Sequence, residues 1–291
     1  MNVTPNDMLV EVTNRCNQAC IFCAHRKMHM KQGEIDPDLM KRILQEAYDM
    51  GVRRVGLYTT GEMFLCKELE THIRNAKKIG FNYIYSDTNG VLATKENMKR
   101  VVLAGLDSIK FSINAATKET YQFIHGRDDF EVVLRNLIDC HTLRKELGLK
   151  FKIMVSYIMT SKTEDEMDNL HNRIMPYIDE FVPHSVRTML PQDPENLSEL
   201  APRKHEEYRP QNSCPMVFNR IHVTYDGFLS ACCFDFNHDL LLADLKTMPL
   251  AEAWNSKNAV WLRNKHISKN LAGIMCHNCT TMEYHSYSSI L

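Results

Sequence analysis

Short β-branched and aromatic runs alternate along the first 190 residues with longer stretches whose apolar positions recur every three or four residues. The first pattern belongs to strands buried in a sheet, the second to amphipathic helices lying on it. Strands are expected over 8–13, 52–59, 82–87, 107–113, 150–159 and 180–189, with a helical segment between successive strands. The first helix is the clearest. Asp36 can cap it, Pro37 suits its first position, Leu39, Met40, Ile43, Leu44 and Ala47 form its apolar stripe, and Gly51 ends it. Gly80, Gly105 and Gly148 are expected to end later helices. Such alternation predicts a parallel sheet with right-handed crossovers. Six units would curl into an α/β fold, a partial (β/α)6 TIM-like barrel, with the loops after the strands gathered at one functional mouth.

Beyond this region the pattern changes. Pro191, Asp193, Pro194, Pro202 and Pro210 among polar residues read as a linker over 191–213, dividing a barrel (1–190) from a smaller C-terminal unit (214–291). Within that unit, 218–232 alternates like a hairpin about Asp226-Gly227, a dipeptide suited to a tight turn. Trp254, Val260, Trp261 and Leu262 predict a helix over the hairpin, giving a hairpin-plus-helix domain.

Composition narrows the function. The chain has 291 residues and 44% apolar content, enough for a sizeable core. Its net charge of −1, with scattered basic residues, disfavours nucleic acid or a membrane surface as partner. The N-terminus lacks a signal-peptide pattern, and no run approaches the roughly 18 apolar residues of a membrane span, so a cytoplasmic protein is expected. In a reducing compartment, ten cysteines point to metal or redox chemistry before disulfides.

Seven of those cysteines fall into ligand-like groups. Cys16, Cys20 and Cys23 form Cys-x3-Cys-x2-Cys directly after the first strand. Three thiolates on one loop leave a [4Fe-4S] cluster with one open iron, whereas a closed site takes four protein ligands. Cys214, Cys232, Cys276 and Cys279 supply four thiolates from three segments, a closed set that suits an iron-sulfur cluster or zinc.

The triad after strand one, with Phe22 just before its last cysteine, resembles the cluster loop of the radical S-adenosylmethionine (SAM) superfamily. The resemblance implies that SAM chelates the open iron and is cleaved to methionine and a 5'-deoxyadenosyl radical, and that an external one-electron donor such as flavodoxin or ferredoxin reduces the cluster. Thr59-Thr60-Gly61-Glu62 resembles the family's Gly-Gly-Glu segment, which places Gly61 and Glu62 at the SAM amino end, although Thr60 replaces the first glycine. Ser86-Asp87-Thr88-Asn89-Gly90 resembles a Thr-Asn-Gly turn near the cofactor, and Ser112 and Asn114 at the end of strand four are expected to reach the SAM ribose or carboxylate.

The C-terminal spacing, Cys214, twelve residues, Gly227, four residues, Cys232, is similar to the opening of the SPASM and twitch auxiliary-cluster extensions. No cysteine after Cys279 supplies a second auxiliary cluster, so one fully ligated auxiliary [4Fe-4S] cluster is implied, suited to electron transfer.

Spacing and size resemble radical SAM dehydrogenases of aminocyclitols such as 2-deoxy-scyllo-inosamine, which implies a polar small-molecule substrate whose alcohol becomes a ketone. Arg187, at the end of strand six, is the candidate to orient or deprotonate the oxygen, with His184, His125 and Arg127 nearby in strand-end or loop positions. Cys233 raises an alternative, because a thiol beside the cluster ligand is the hydrogen donor of radical epimerases of the neomycin C type. Strand alternation would point Cys232 and Cys233 to opposite faces. A third class, modification of ribosomal peptides, is disfavoured by the short stretch before strand one. Cys140, in an apolar helical stretch, is expected to pack as a small hydrophobe.

Overall fold

The computed structural model describes residues 3–186, 200 and 213–279. Arg187, most of the 191–213 stretch and the segment after Cys279 lie outside the described residues.

Six βα units form the N-terminal part. The strands are β1 (Asp7–Val10), β2 (Arg54–Gly56), β3 (Tyr83–Thr88), β4 (Ser108–Ser112), β5 (Lys152–Met159) and β6 (Glu180–Ser185). The intervening helices are α1 (Pro37–Asp49), α2 (Leu69–Ile79), α3 (Lys95–Ala104), α4 (Lys118–His125), α5 (Phe130–Leu147) and α6 (Met167–Ile174). The expected punctuation is present: Asp36 caps α1 through a bond from the Leu39 amide, and Gly80, Gly105 and Gly148 follow α2, α3 and α5 in the left-handed region.

After them come α7 (Met216–Asn219), β7 (Arg220–Val223), β8 (Phe228–Ser230), β9 (Leu241–Asp244), α8 (Leu250–Trp254), α9 (Lys257–Ile267) and α10 (Cys276–Cys279). The hairpin turns at Asp226-Gly227 as expected. Of the four residues expected to cover it, Trp254 and Leu262 are buried, while Val260 and Trp261 lie on the outer side of α9 and are exposed.

Among the described residues all nine strands join one sheet, in the order β6-β5-β4-β3-β2-β1-β7-β8-β9. β1 to β6 are parallel and β6 does not close on β1, so the barrel is open, a partial TIM barrel. The second unit continues it, because β7 pairs with β1 in parallel from Asp7 opposite Arg220 to Val10 opposite Val223. Bonds from the Glu11 amide to Val223 O (2.8 Å), from Trp254 Nε1 to Val3 O (2.7 Å) and from the Leu250 amide to Glu46 (2.7 Å) extend this seam.

Strand alternation gives the sheet two different faces. Met8, Val10, Val55, Ile84, Ile109, Phe111, Ile153 and Val155 pack against Met40, Ile43, Ile73, Val101 and Leu137 of the helices. The opposite, luminal face carries polar side chains that are nevertheless buried. Arg220 pairs with Asp7 at 2.5 Å, the Tyr85 hydroxyl donates to the same carboxylate at 3.0 Å, and Lys110 pairs with Asp87 at 3.0 Å. A lumen of matched charges suits a polar ligand better than an apolar one.

Candidate active site

Cys16, Cys20 and Cys23 lie on the irregular segment between β1 and a 3-10 turn at Ala24–Lys27. Polar bonds close the base of this loop: Thr13 Oγ1 donates to Gly33 O (2.7 Å), Asn14 Nδ2 to Lys31 O (2.8 Å), and the Gly33 amide to Asn14 Oδ1 (2.7 Å). Its middle is pinned from across the barrel mouth, where the Ala19 and Ile21 amides donate to His125 O (3.0 Å) and Ile124 O (2.9 Å) at the end of α4.

The three thiols feel one another. Burial pushes all of them up, Cys23 to about 11, and neighbouring cysteine charge adds to the rise at Cys20 and Cys23. Such thiols become thiolates only when a metal replaces their protons. Among the described residues no three Cys, His or acidic side chains converge tightly enough for a single metal ion. A cubane gives each thiolate a different iron, so three thiols on one loop are the kind of donor set that would hold such a cluster with one iron open.

Gly61 and Glu62 are at the mouth, directly against this loop. The Glu62 amide donates to Arg15 O at 2.7 Å, and a Cβ on Gly61 would stand 2.3 Å from Thr13 O and 2.6 Å from Arg15 O. Glu62 is pushed up to about 7 by burial, opposed by bonds from Thr88 Oγ1 (2.7 Å), the Asn89 amide (2.7 Å) and the Phe64 amide (3.4 Å). Its carboxylate therefore ties the end of β2 to the end of β3. Asn89 in turn donates to Asn17 Oδ1 (2.7 Å) and reaches Cys16 Sγ (3.9 Å). Phe22 is half-buried within the loop, and Ser112 Oγ accepts from Ser156 (3.4 Å) on the neighbouring strand. Asn114 is committed to protein: its Oδ1 accepts from the Ile158 amide (2.8 Å) and its side-chain nitrogen meets His125 Nε2 (3.3 Å).

His125 is the residue that sequence reasoning undervalued. It is buried, not a surface group, stacks on Tyr121 at 4.1 Å, and places Nδ1 2.8 Å from Gln18 Oε1 and 3.4 Å from Cys20 Sγ. Gln18 also donates to the Tyr121 hydroxyl at 2.7 Å. This chain links Asn114, just beyond β4, to the cluster loop. The adjacent Gly126 ends α4 with φ 70°, where a Cβ would meet Ala19 O at 2.9 Å, so the close approach of α4 to the cluster loop has a glycine as its one sequence trace. Arg127 is exposed and His184 half-buried.

In the C-terminal unit Cys214 and Cys276 are buried, and their charges add to the burial and the Cys233 charge that push Cys232 well up. The Cys214 amide donates to His266 Nδ1 at 3.2 Å. Cys279 ends α10, one turn from Cys276. Cys214, Cys232 and Cys276 thus lie near enough to act on one another's ionisation. The expected separation of Cys232 from Cys233 by strand alternation does not apply, because β8 ends at Ser230 and both cysteines lie in the turn beyond it.

That turn faces the barrel mouth. Glu11 beyond β1, Thr59 and Thr60 beyond β2, His222 on β7 and both Cys232 and Cys233 line one pocket, together with Asp235 and His238. Glu11 is buried and raised for that reason, while Thr60 and the Tyr225 amide (3.2 Å) hydrogen-bond its carboxylate. Asp235 is spent on the turn itself, accepting from Ser230 Oγ (2.8 Å) and the Asp239 amide (2.7 Å).

Residues 10–174 match the radical SAM superfamily. The chain belongs to that superfamily. Residues 214–280 match SPASM, an iron-sulfur cluster-binding domain. A radical SAM enzyme with a SPASM or twitch-type unit uses a [4Fe-4S] cluster, SAM and auxiliary iron-sulfur chemistry. Curated relatives include a probable GTP 3',8-cyclase of Sulfurisphaera tokodaii, 27% identical over 57% of this chain and 51% of the relative. Another from Methanothermobacter thermautotrophicus is 25% identical over 77% of this chain and 82% of its own length. The chain thus spans about half the length of the first of these relatives. Among solved structures, BtrN in complex with AdoMet and 2-DOIA has a TM-score of 0.61 at 17% identity, covering 91% of this chain and 88% of BtrN. Streptococcus suis SuiB bound to S-adenosylmethionine has a TM-score of 0.69 at 12% identity, covering 88% and 66%. These likenesses establish the shared fold. No helix among the described residues is long and apolar enough to cross a membrane.

Proposed function

We propose that this radical SAM enzyme oxidises a carbinol carbon of a sugar or aminocyclitol-like substrate, with Cys16, Cys20 and Cys23 holding the SAM-binding cluster and Cys214, Cys232, Cys276 and Cys279 an auxiliary [4Fe-4S] cluster. One observation carries the reading: a single pocket is walled by Thr59 and Thr60, next to the expected SAM segment, and by Cys232, an expected auxiliary ligand. A substrate between a radical source and an electron acceptor is what a two-electron oxidation through a radical requires. When bound, SAM and its cluster supply the 5'-deoxyadenosyl radical that takes one hydrogen atom, and a closed auxiliary cluster takes the remaining electron.

The chain's own residues handle the proton and the fit. Glu11 is the carboxylate on the pocket wall, and its burial makes it a better acceptor of the hydroxyl proton than an exposed carboxylate. Asn89 and Glu62 hold the ends of β2 and β3 against the cluster loop, which keeps the SAM side rigid. Arg187, beyond the described residues, stays the candidate for orienting the oxygen. A nucleoside triphosphate, the substrate class raised by the GTP cyclase relatives, is less suited. The luminal cations Lys110 and Arg220 are already paired with Asp87 and Asp7, and the net charge is −1.

The test is anaerobic reconstitution followed by incubation with SAM and deuterated sugars and aminocyclitols. Deuterium in deoxyadenosine, with ketone formed in equal yield, is the expected result; no transfer from any hydroxylated substrate would end the proposal. A second reading rests on Cys233, which lines the same pocket and lies close enough to Tyr58 and Arg220 to affect their ionisation. If it donates hydrogen in an epimerisation, Cys233→Ala abolishes product, and wild type incorporates solvent hydrogen into an unoxidised product. Preserved turnover in Cys233→Ala excludes that role.

A further inference from the structure

His222 is buried to 3% exposure on β7, yet neither Nδ1 nor Nε2 has a hydrogen-bond partner among the described residues. Its side chain shares the luminal face with Asp7 and Leu9, opposite which β7 is registered, and it lines the pocket beside Glu11, Thr60 and Cys233. Two other buried histidines near the clusters are engaged. His125 meets Gln18 and Asn114, and His266 accepts from the Cys214 amide. His72 is also unpaired, but it sits on α2 in the helix layer, away from the pocket. A buried, unpaired imidazole costs stability that a phenylalanine in the same place would not. Only at His222 does that cost face an open site.

The ring is neutral at physiological pH, because burial and the nearby Arg220 charge push it down to about 3. A neutral imidazole offers one N–H donor and one acceptor nitrogen. Glu11, on the same wall, offers a carboxylate that repels phosphate and accepts from hydroxyl or ammonium groups.

We propose that His222 is a substrate-binding residue that hydrogen-bonds a hydroxyl of an unphosphorylated polyol or amino-polyol ring, with Glu11 accepting from a neighbouring hydroxyl or amine. This deepens the oxidation reading of the pocket and rests on it for the reaction, while the binding step is measured separately. A phosphorylated sugar is excluded by the carboxylate, and an apolar ligand by the unpaired ring.

The experiment uses the full reconstituted chain with SAM, titrated calorimetrically with 2-deoxy-scyllo-inosamine, glucosamine and scyllo-inositol. Wild type is expected to bind at least one of them, His222→Phe about tenfold more weakly or worse, and His222→Gln, which keeps a donor and an acceptor, to regain most of the affinity. Because the native ring has no hydrogen-bond partner among the described residues, His222→Phe is expected to melt at or above the wild-type temperature. Unchanged affinity in His222→Phe overturns the role of His222 and leaves the oxidation reading standing. A marked drop in its melting temperature overturns it in favour of a structural role. A wild type that binds none of the three probes overturns the ligand class. Binding that depends on His222 without deuterium transfer overturns the oxidation reading alone.

Discussion

His72 has no exposed surface, no hydrogen-bond partner for either ring nitrogen among the described residues, and a pKa that burial lowers from 6.5 to about 4. The unfolded chain therefore binds this proton more readily than the folded one. The stability contribution is complete above pH 6.5 and drains as the pH falls toward 4, amounting to about 3 kcal/mol in full. His72→Leu is expected to shrink the loss of stability between pH 7 and pH 5 by about 2 kcal/mol in urea denaturation; an unchanged loss would show that the ring is not the cause. His125 and His222, both lowered by burial, keep a residual acid limb in the variant. Individual residues were unevenly legible. The candidate cysteine ligands stood out by spacing, because metal chemistry constrains residue type and interval together. His125 and His222 did not, since a histidine's value lies in what surrounds it and the partners of His125, Gln18 and Asn114, are far apart in sequence.

At the level of elements, the cluster loop has almost no regular structure of its own and takes its shape from the strand and helix ends around it. The end of β2 approaches most closely. A Cβ on Gly61 would collide with two backbone carbonyl oxygens that cannot move without displacing the segment leading to Cys16. Gly61→Ala is expected to cost about 2–3 kcal/mol and to weaken SAM binding at least tenfold, measured by denaturation and by equilibrium binding to reconstituted protein. A variant with wild-type stability and affinity would mean the loop tolerates the shift. The elements themselves were readable from periodicity and from caps such as Asp36 and Gly80, because these are local backbone requirements. The turn holding Cys232 and Cys233 was misread as strand. Alternating apolar residues continue past Ser230, but the chain there bends around the Asp235 carboxylate, a local bond that alternation does not encode.

Across the whole molecule, the barrel and the C-terminal unit are one sheet, and the bond between them is partly ionic. Arg220 of β7 and Asp7 of β1 are both buried, with Tyr85 donating to the same carboxylate. Arg220→Met leaves a buried carboxylate with only that hydroxyl and is expected to destabilise by about 3–5 kcal/mol; adding Asp7→Asn is expected to restore much of the loss. Additive effects in this double-mutant cycle would show that the pair does not couple the units. The sequence by itself determined the barrel class, the two cysteine groups and the polar N-terminal triad loop, because periodicity, caps and ligand spacing are local and each has few physical solutions. Tertiary structure alone decided that β7 docks on β1 and so brings His222 and Cys232 to Glu11 and Thr60. Parallel pairing between strands more than 200 residues apart leaves no local trace, since it is made by backbone groups that every residue carries and is selected only by the packing of the completed fold.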